Sequence, residues 1–161
     1  MKKVFLFGLI VCMLGLTEAC SAKAPAGTAS AESEKVSAVQ QLTTADFLAK
    51  IHDYHAHPDV WKFKGDKPCL IDFYADWCRP CKMLAPVMEE LAAQYAGQID
   101  IYKVNVDAEK ELSAAFGIQS IPSLLFVPKE GQPAMQAGVL PKEQLEYYIK
   151  TFLLGQQAPQ E

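Results

Sequence analysis

This sequence predicts an α/β fold, a central mixed sheet flanked by helices on both faces, and three observations carry the prediction. From about residue 42 onward the apolar pattern switches repeatedly between strand-like runs and helical stripes. The 161 residues, less a leader and a polar stretch near the start, leave room for one domain with one core and exclude a second catalytic domain. Half of the residues are apolar and 21% are charged, which is the composition of a globular protein.

The elements follow in order. Thr43-Thr44-Ala45-Asp46 offers an N-cap, and Phe47, Leu48 and Ile51 come at helical spacing, so a first helix is expected to end before Pro58. A loop over about 58–68 leads to a near-continuous apolar run at 69–75, the pattern of a central strand covered on both faces. Leu84, Val87, Met88, Leu91 and Tyr95 then form one stripe of an amphipathic helix that starts around Cys78 and stops at Gly97. Pro86 inside it removes a backbone donor and is expected to bend it. Residues 99–106 read as a strand, 108–116 as a short helix closed by Gly117, and 123–127 as the next strand. Lys129-Glu130-Gly131-Gln132 has turn chemistry, so 135–139 is expected to return antiparallel. Pro141 opens a last helix with Leu145, Tyr148, Ile149 and Phe152 as its buried face and Gly155 as its end.

The region before this domain has a different character. Met1-Lys2-Lys3 is a positive start, residues 4–16 form an apolar run, and Thr17-Glu18-Ala19 supplies small residues where a signal peptidase reads. The run is short of the roughly 20 residues of a membrane-spanning helix. A cleaved signal over 1–19 is therefore expected, with a short retained anchor as the alternative. Cys20, directly after it, looks like a bacterial lipoprotein attachment site, although Thr17 stands where a lipobox has Leu; lipidation there competes with a plain cleaved signal. Acyl chains on Cys20 would hold the protein at a membrane surface. Residues 20–40 are rich in Ala, Ser, Glu, Lys, Pro and Gly and read as a flexible linker, 41–155 as the folded domain and 156–161 as a tail. The net charge of −4 comes without a Lys/Arg cluster, so nucleic acid is excluded as a partner, and no internal repeat is visible.

Cys78-Arg79-Pro80-Cys81 sits where the central strand runs into the amphipathic helix, and that context gives the C-x-x-C its meaning. Free N–H groups and the dipole at a helix start stabilise an anion, so a thiolate there becomes a usable nucleophile near neutral pH. Cys81, one turn on, faces the same way and is expected to lie deeper. Cys78 would then attack a substrate disulfide and Cys81 resolve the mixed disulfide. A structural zinc site would need four ligands, and no second C-x-x-C or C-x-x-H pairs with this one. His52, His55 and His57 are read as polar residues on a solvated face; no metal site is expected. Asp72 lies among Leu70, Ile71, Phe73 and Tyr74, where a carboxylate is costly to ionise, so its pKa is expected to be raised; a salt bridge with Lys103 is the structural alternative. Trp77 and Tyr74 flank the nucleophile as core packing or substrate platform, with Trp77 the better candidate for contact.

The segment Asp72-Phe73-Tyr74-Ala75-Asp76-Trp77-Cys78-Arg79-Pro80-Cys81-Lys82 resembles the active-site segment of the thioredoxin family. Pro86, Lys103-Val104-Asn105-Val106-Asp107, Ile121-Pro122 and Gly138 fall in matching order, and the resemblance spans about 69–153. It implies the thioredoxin fold, Asp72 as the acid/base serving Cys81, and a cis proline at Pro122 that faces the dithiol while Ile121 presents a backbone edge to substrate. Several residues depart from the family pattern. Arg79 stands where Gly is usual, which favours the Cys78 thiolate; Tyr74 stands where Trp is common; Cys69 opens the strand and reads as a buried hydrophobe. The loop around 57–67, with Trp61 and Phe63, is longer than in compact members, and its aromatics either cover the sheet edge or touch a partner.

The resulting expectation is a monomeric thiol-disulfide oxidoreductase in the periplasm or cell envelope. It would reduce disulfide-containing client proteins without metal or organic cofactor and draw electrons from a membrane protein by dithiol exchange. A disulfide oxidase or isomerase in the same compartment is the alternative, and a non-catalytic module using only the Ile121-Pro122 edge is disfavoured by the intact dithiol.

Overall fold

The computed structural model describes residues 38–157. The expected leader, Cys20 and nearly all of the expected linker lie outside the described residues. Five strands form one sheet: β1 (Gln40–Gln41), β2 (Cys69–Tyr74), β3 (Asp100–Asn105), β4 (Ser123–Val127) and β5 (Ala134–Ala137), in the order β1-β3-β2-β4-β5. β1, β3 and β2 run parallel, and β4 and β5 are antiparallel to their neighbours. The helices are α1 (Thr44–Lys50), α2 (Arg79–Gln94), α3 (Lys110–Ala115) and α4 (Lys142–Tyr148), the last passing into a π-helical turn, Ile149–Leu153. The expected mixed sheet covered on both faces is present.

Strand alternation decides what faces what. In β2, Leu70 joins the cluster that includes Leu84, Met88 and Leu91 of α2 and Leu145 of α4, whereas Cys69, Ile71 and Phe73 join the opposite cluster with Phe47 of α1 and Leu112 of α3. Both faces of β2 are therefore buried, which is why its sequence shows no polar alternation. The same period of two places Asp72, like Leu70, on the α2 side, beside Lys103 in the β2–β3 register.

Three expectations need correction. The folded chain begins before residue 41: Val39 is buried on one face of the sheet, Leu42 on the other, and Gln40 and Gln41 pair with Tyr102 and Lys103. A two-residue edge strand of glutamines carries no apolar period to betray it. At the end of α4, Phe152 is 37% exposed and Leu153 takes its expected place in the core. The Leu154 N–H bonds to the Ile149 carbonyl, a five-residue step, and this widened turn rotates 152 off the stripe that a 3.6-residue period projects. His52 is buried rather than solvated: its ring stacks on Trp61 at 4.3 Å, and Nδ1 lies 3.2 Å from both the N–H and the carbonyl of Lys62. Trp61 and Phe63 pack onto the α1–α3 cluster, so the loop's aromatics cover that face of the sheet. Among the described residues no cluster of three His, Cys, Asp or Glu is arranged to hold a metal, and no helix is long and apolar enough to cross a membrane.

Candidate active site

β2 delivers the chain directly to the start of α2. Cys78 is the N-cap, with extended backbone, and its Sγ accepts the N–H of Cys81 at 3.2 Å. Pro80 in the first turn lacks the N–H that a helix start cannot satisfy, and no acidic residue lies there to offset the dipole. Cys78 and Cys81 form a disulfide with Cα atoms 5.3 Å apart. Each is 3% exposed, so Cys81 is not the deeper of the two; what separates them is the N-cap position held by Cys78 and the third helical position held by Cys81.

Beside Cys81, Asp72 and Lys103 line one open-mouthed cavity of about 130 Å³, together with residues that include Val39, Met88 and Glu89. Asp72 is 5% exposed, and its Oδ1 has no hydrogen-bond partner. Burial pushes its carboxyl up to about 7, against the opposing pull of the Lys103 cation. Among the described residues no ion pair joins Asp72 to Lys103; the lysine acts at a distance through its charge. A carboxyl that titrates near neutrality and shares a cavity with a cysteine can take and return that cysteine's proton.

The rim of the site comes from three loops. The Ile121–Pro122 peptide is cis, as the family resemblance implies, and the Pro122 carbonyl accepts the N–H of Gly138 at 2.8 Å. Gly138 has φ +94°, a conformation that a side chain would strain. Ile121 packs against Cys78 and Cys81 together with Tyr74, Ala75 and Val106. Trp77 is 70% exposed and so is not core packing, and its Nε1–H donates to Asp107 Oδ2 at 2.9 Å. The Tyr74 hydroxyl donates to Gln41 Oε1 at 3.3 Å, and burial pushes its pKa up. Arg79 is exposed. The structure thus gathers Asp72, Trp77, Cys78, Cys81, Ile121 and Pro122 at one end of the sheet; Cys20 lies outside the described residues. Asn105 and Asp107 are also at this rim, and sequence reasoning gave them no role. An Asn-x-Asp closing a strand is the signal that marks them.

The family model for thioredoxin matches residues 38–151. The chain belongs to the thioredoxin family. It is 47% identical over 111 residues to a thioredoxin of Borreliella burgdorferi, an alignment covering 69% of this chain and 94% of that one. A thioredoxin of Haemophilus influenzae is 50% identical over 85 residues, covering 53% of this chain and 79% of the relative. Among solved structures, a chloroplastic thioredoxin z superposes with a TM-score of 0.55 at 27% identity, covering 66% of this chain and 87% of that chain. The protein is a thioredoxin-type thiol-disulfide oxidoreductase, a protein-disulfide reductase.

Proposed function

We propose that this thioredoxin works outside the cytoplasm, held at the cell envelope through Cys20, and reduces disulfides of client proteins there. The catalytic reading is carried by one observation: the Cys78–Cys81 pair stands at the start of α2 beside a cavity shared with buried Asp72. In the reduced protein the Cys78 thiolate, stabilised by helix N–H groups, attacks one sulfur of a client disulfide; a mixed disulfide forms and one client thiolate leaves. Ionised Asp72 takes the Cys81 proton, the Cys81 thiolate attacks Cys78 Sγ, and the second client thiolate leaves. Two electrons have passed to the client and the Cys78–Cys81 disulfide is closed. The cis Ile121–Pro122 corner and Trp77 supply the surface against which the client strand rests.

Reopening the disulfide requires two electrons from another dithiol. For an exported protein that donor is a membrane protein carrying electrons across the bilayer by the same exchange. Support for export and anchoring lies in the sequence: the basic start, the apolar run at 4–16 and Cys20 followed by a polar tether. The test is in the cell. Protease added to intact spheroplasts should digest the protein, and labelled palmitate should be incorporated in the native chain but not in Cys20→Ala; protection from protease overturns the compartment, and absence of label the anchor. Rapid acid quenching and alkylation should find Cys78 and Cys81 mainly as thiols. A mainly oxidised pair would favour an oxidase acting in folding.

A further inference from the structure

The loop that carries Trp77 and the loop that follows β3 are tied together by one side chain. Asn105 ends β3 opposite Tyr74. Its Nδ2 donates to Asp76 Oδ2 at 3.2 Å, and its Oδ1 accepts the backbone N–H of Asp107 at 2.9 Å. Its carbonyl accepts the N–H groups of Glu109 at 2.8 Å and Ala108 at 3.2 Å. Asp107 then uses Oδ2 to hold the Trp77 indole. Asp76 and Asp107 both present carboxylate oxygens, which only accept hydrogen bonds, on neighbouring loops. An amide is suited to bridge them, because it donates to one residue and accepts from the other without adding charge.

We infer that Asn105 is a positioning residue for protein substrates: through Asp107 it fixes Trp77 in the orientation that a client chain meets. This rests on the reading of Trp77 as a substrate platform. Trp77, with Val106, Ile118 and Ile121, lines a shallow cleft of about 150 Å³ beside the dithiol. With most of its surface in solvent, the ring depends on the indole hydrogen bond for a single orientation. A ring freed to sample rotamers must be ordered again each time a client binds, and that cost appears in affinity. A small disulfide that reaches Cys78 without resting on the cleft escapes it.

The test compares oxidised insulin with 5,5′-dithiobis(2-nitrobenzoate) as substrates of the full chain. Asn105→Ala should raise KM for insulin about fivefold, the loss expected for one side chain left to be ordered on binding, and the drop in kcat/KM should be clearly larger than with the small disulfide. In a Trp61→Phe background, the anisotropy of Trp77 fluorescence should fall on Asn105→Ala. With Trp77 replaced by Ala, the further change Asn105→Ala should raise KM no more. Equal losses on both substrates, unchanged Trp77 anisotropy, or additive losses in the double variant would each overturn the role of Asn105. If Trp77→Ala alone leaves KM for insulin unchanged, the platform reading fails, and anisotropy still reports whether Asn105 holds the ring.

Discussion

At its first residue, β2 presents Cys69, which is 1% exposed and lies in the cluster with Ile71, Tyr102 and Val127. Burial, reinforced by the charge of Asp100, pushes its thiol far above the ordinary range. Beyond the other end of the same strand stands Cys78, nearly as buried at 3%, but at a helix N-cap where the Cys81 N–H points at its sulfur. Two cysteines of similar exposure therefore have opposite chemistry. Exposure alone does not decide whether a thiol reacts; the decisive factor is whether backbone donors are placed to receive the charge when the proton leaves.

The largest effect expected from this comparison is on activity. Cys78→Ser should abolish insulin-disulfide reduction, while Cys81→Ser should accumulate mixed disulfides with client proteins, visible on non-reducing gels. In the reduced native protein, iodoacetamide should label Cys78 and leave Cys69 untouched until denaturant is added. Labelling of native Cys69 at a comparable rate would break the contrast.

Asp72 sharpens it next, as a buried acid on the same strand. Its native pKa of about 7 exceeds the ordinary 3.8, so between these values the native state holds a proton that the unfolded state has released. Stability should fall as pH rises through that window and level off above it, by up to about 4 kcal/mol at about 1.4 kcal/mol per pH unit. Asp72→Asn should flatten this slope in urea denaturation at pH 4 and pH 8. It should also slow turnover and remove the rise in rate as Asp72 ionises near pH 7. An Asn variant with native rates across pH would leave Asp72 without a part in proton transfer.

Cys69→Ala should cost about 1 kcal/mol of stability, from the loss of one buried sulfur, and leave insulin reduction unchanged. The smallest effect belongs to Arg79. Its side chain is exposed and screened by solvent, so Arg79→Gly should move the redox potential, measured against glutathione, by no more than about 20 mV and toward more reducing values.

The sequence by itself determined the order of elements, the central place of β2 and the site at its end. Those features rest on local patterns: a run buried on both faces, a 3.6-residue stripe from Leu84 to Tyr95, and a C-x-x-C between them. Asp72 was legible too, because an acid within an apolar strand has few places to go. Tertiary structure alone decided the rest. Gln40 and Gln41 become a strand only because β3 offers its edge, and His52 is buried only because the loop folds Trp61 over it. Leu153 replaces Phe152 in the core because one turn widens at the end of α4. Asn105 meets Asp76 across 29 residues of sequence and Asp107 meets Trp77 across 30, through hydrogen bonds that strand pairing creates. Periodicity records which face of an element is apolar, whereas such polar contacts depend on which elements become neighbours, and that is fixed only when the sheet assembles.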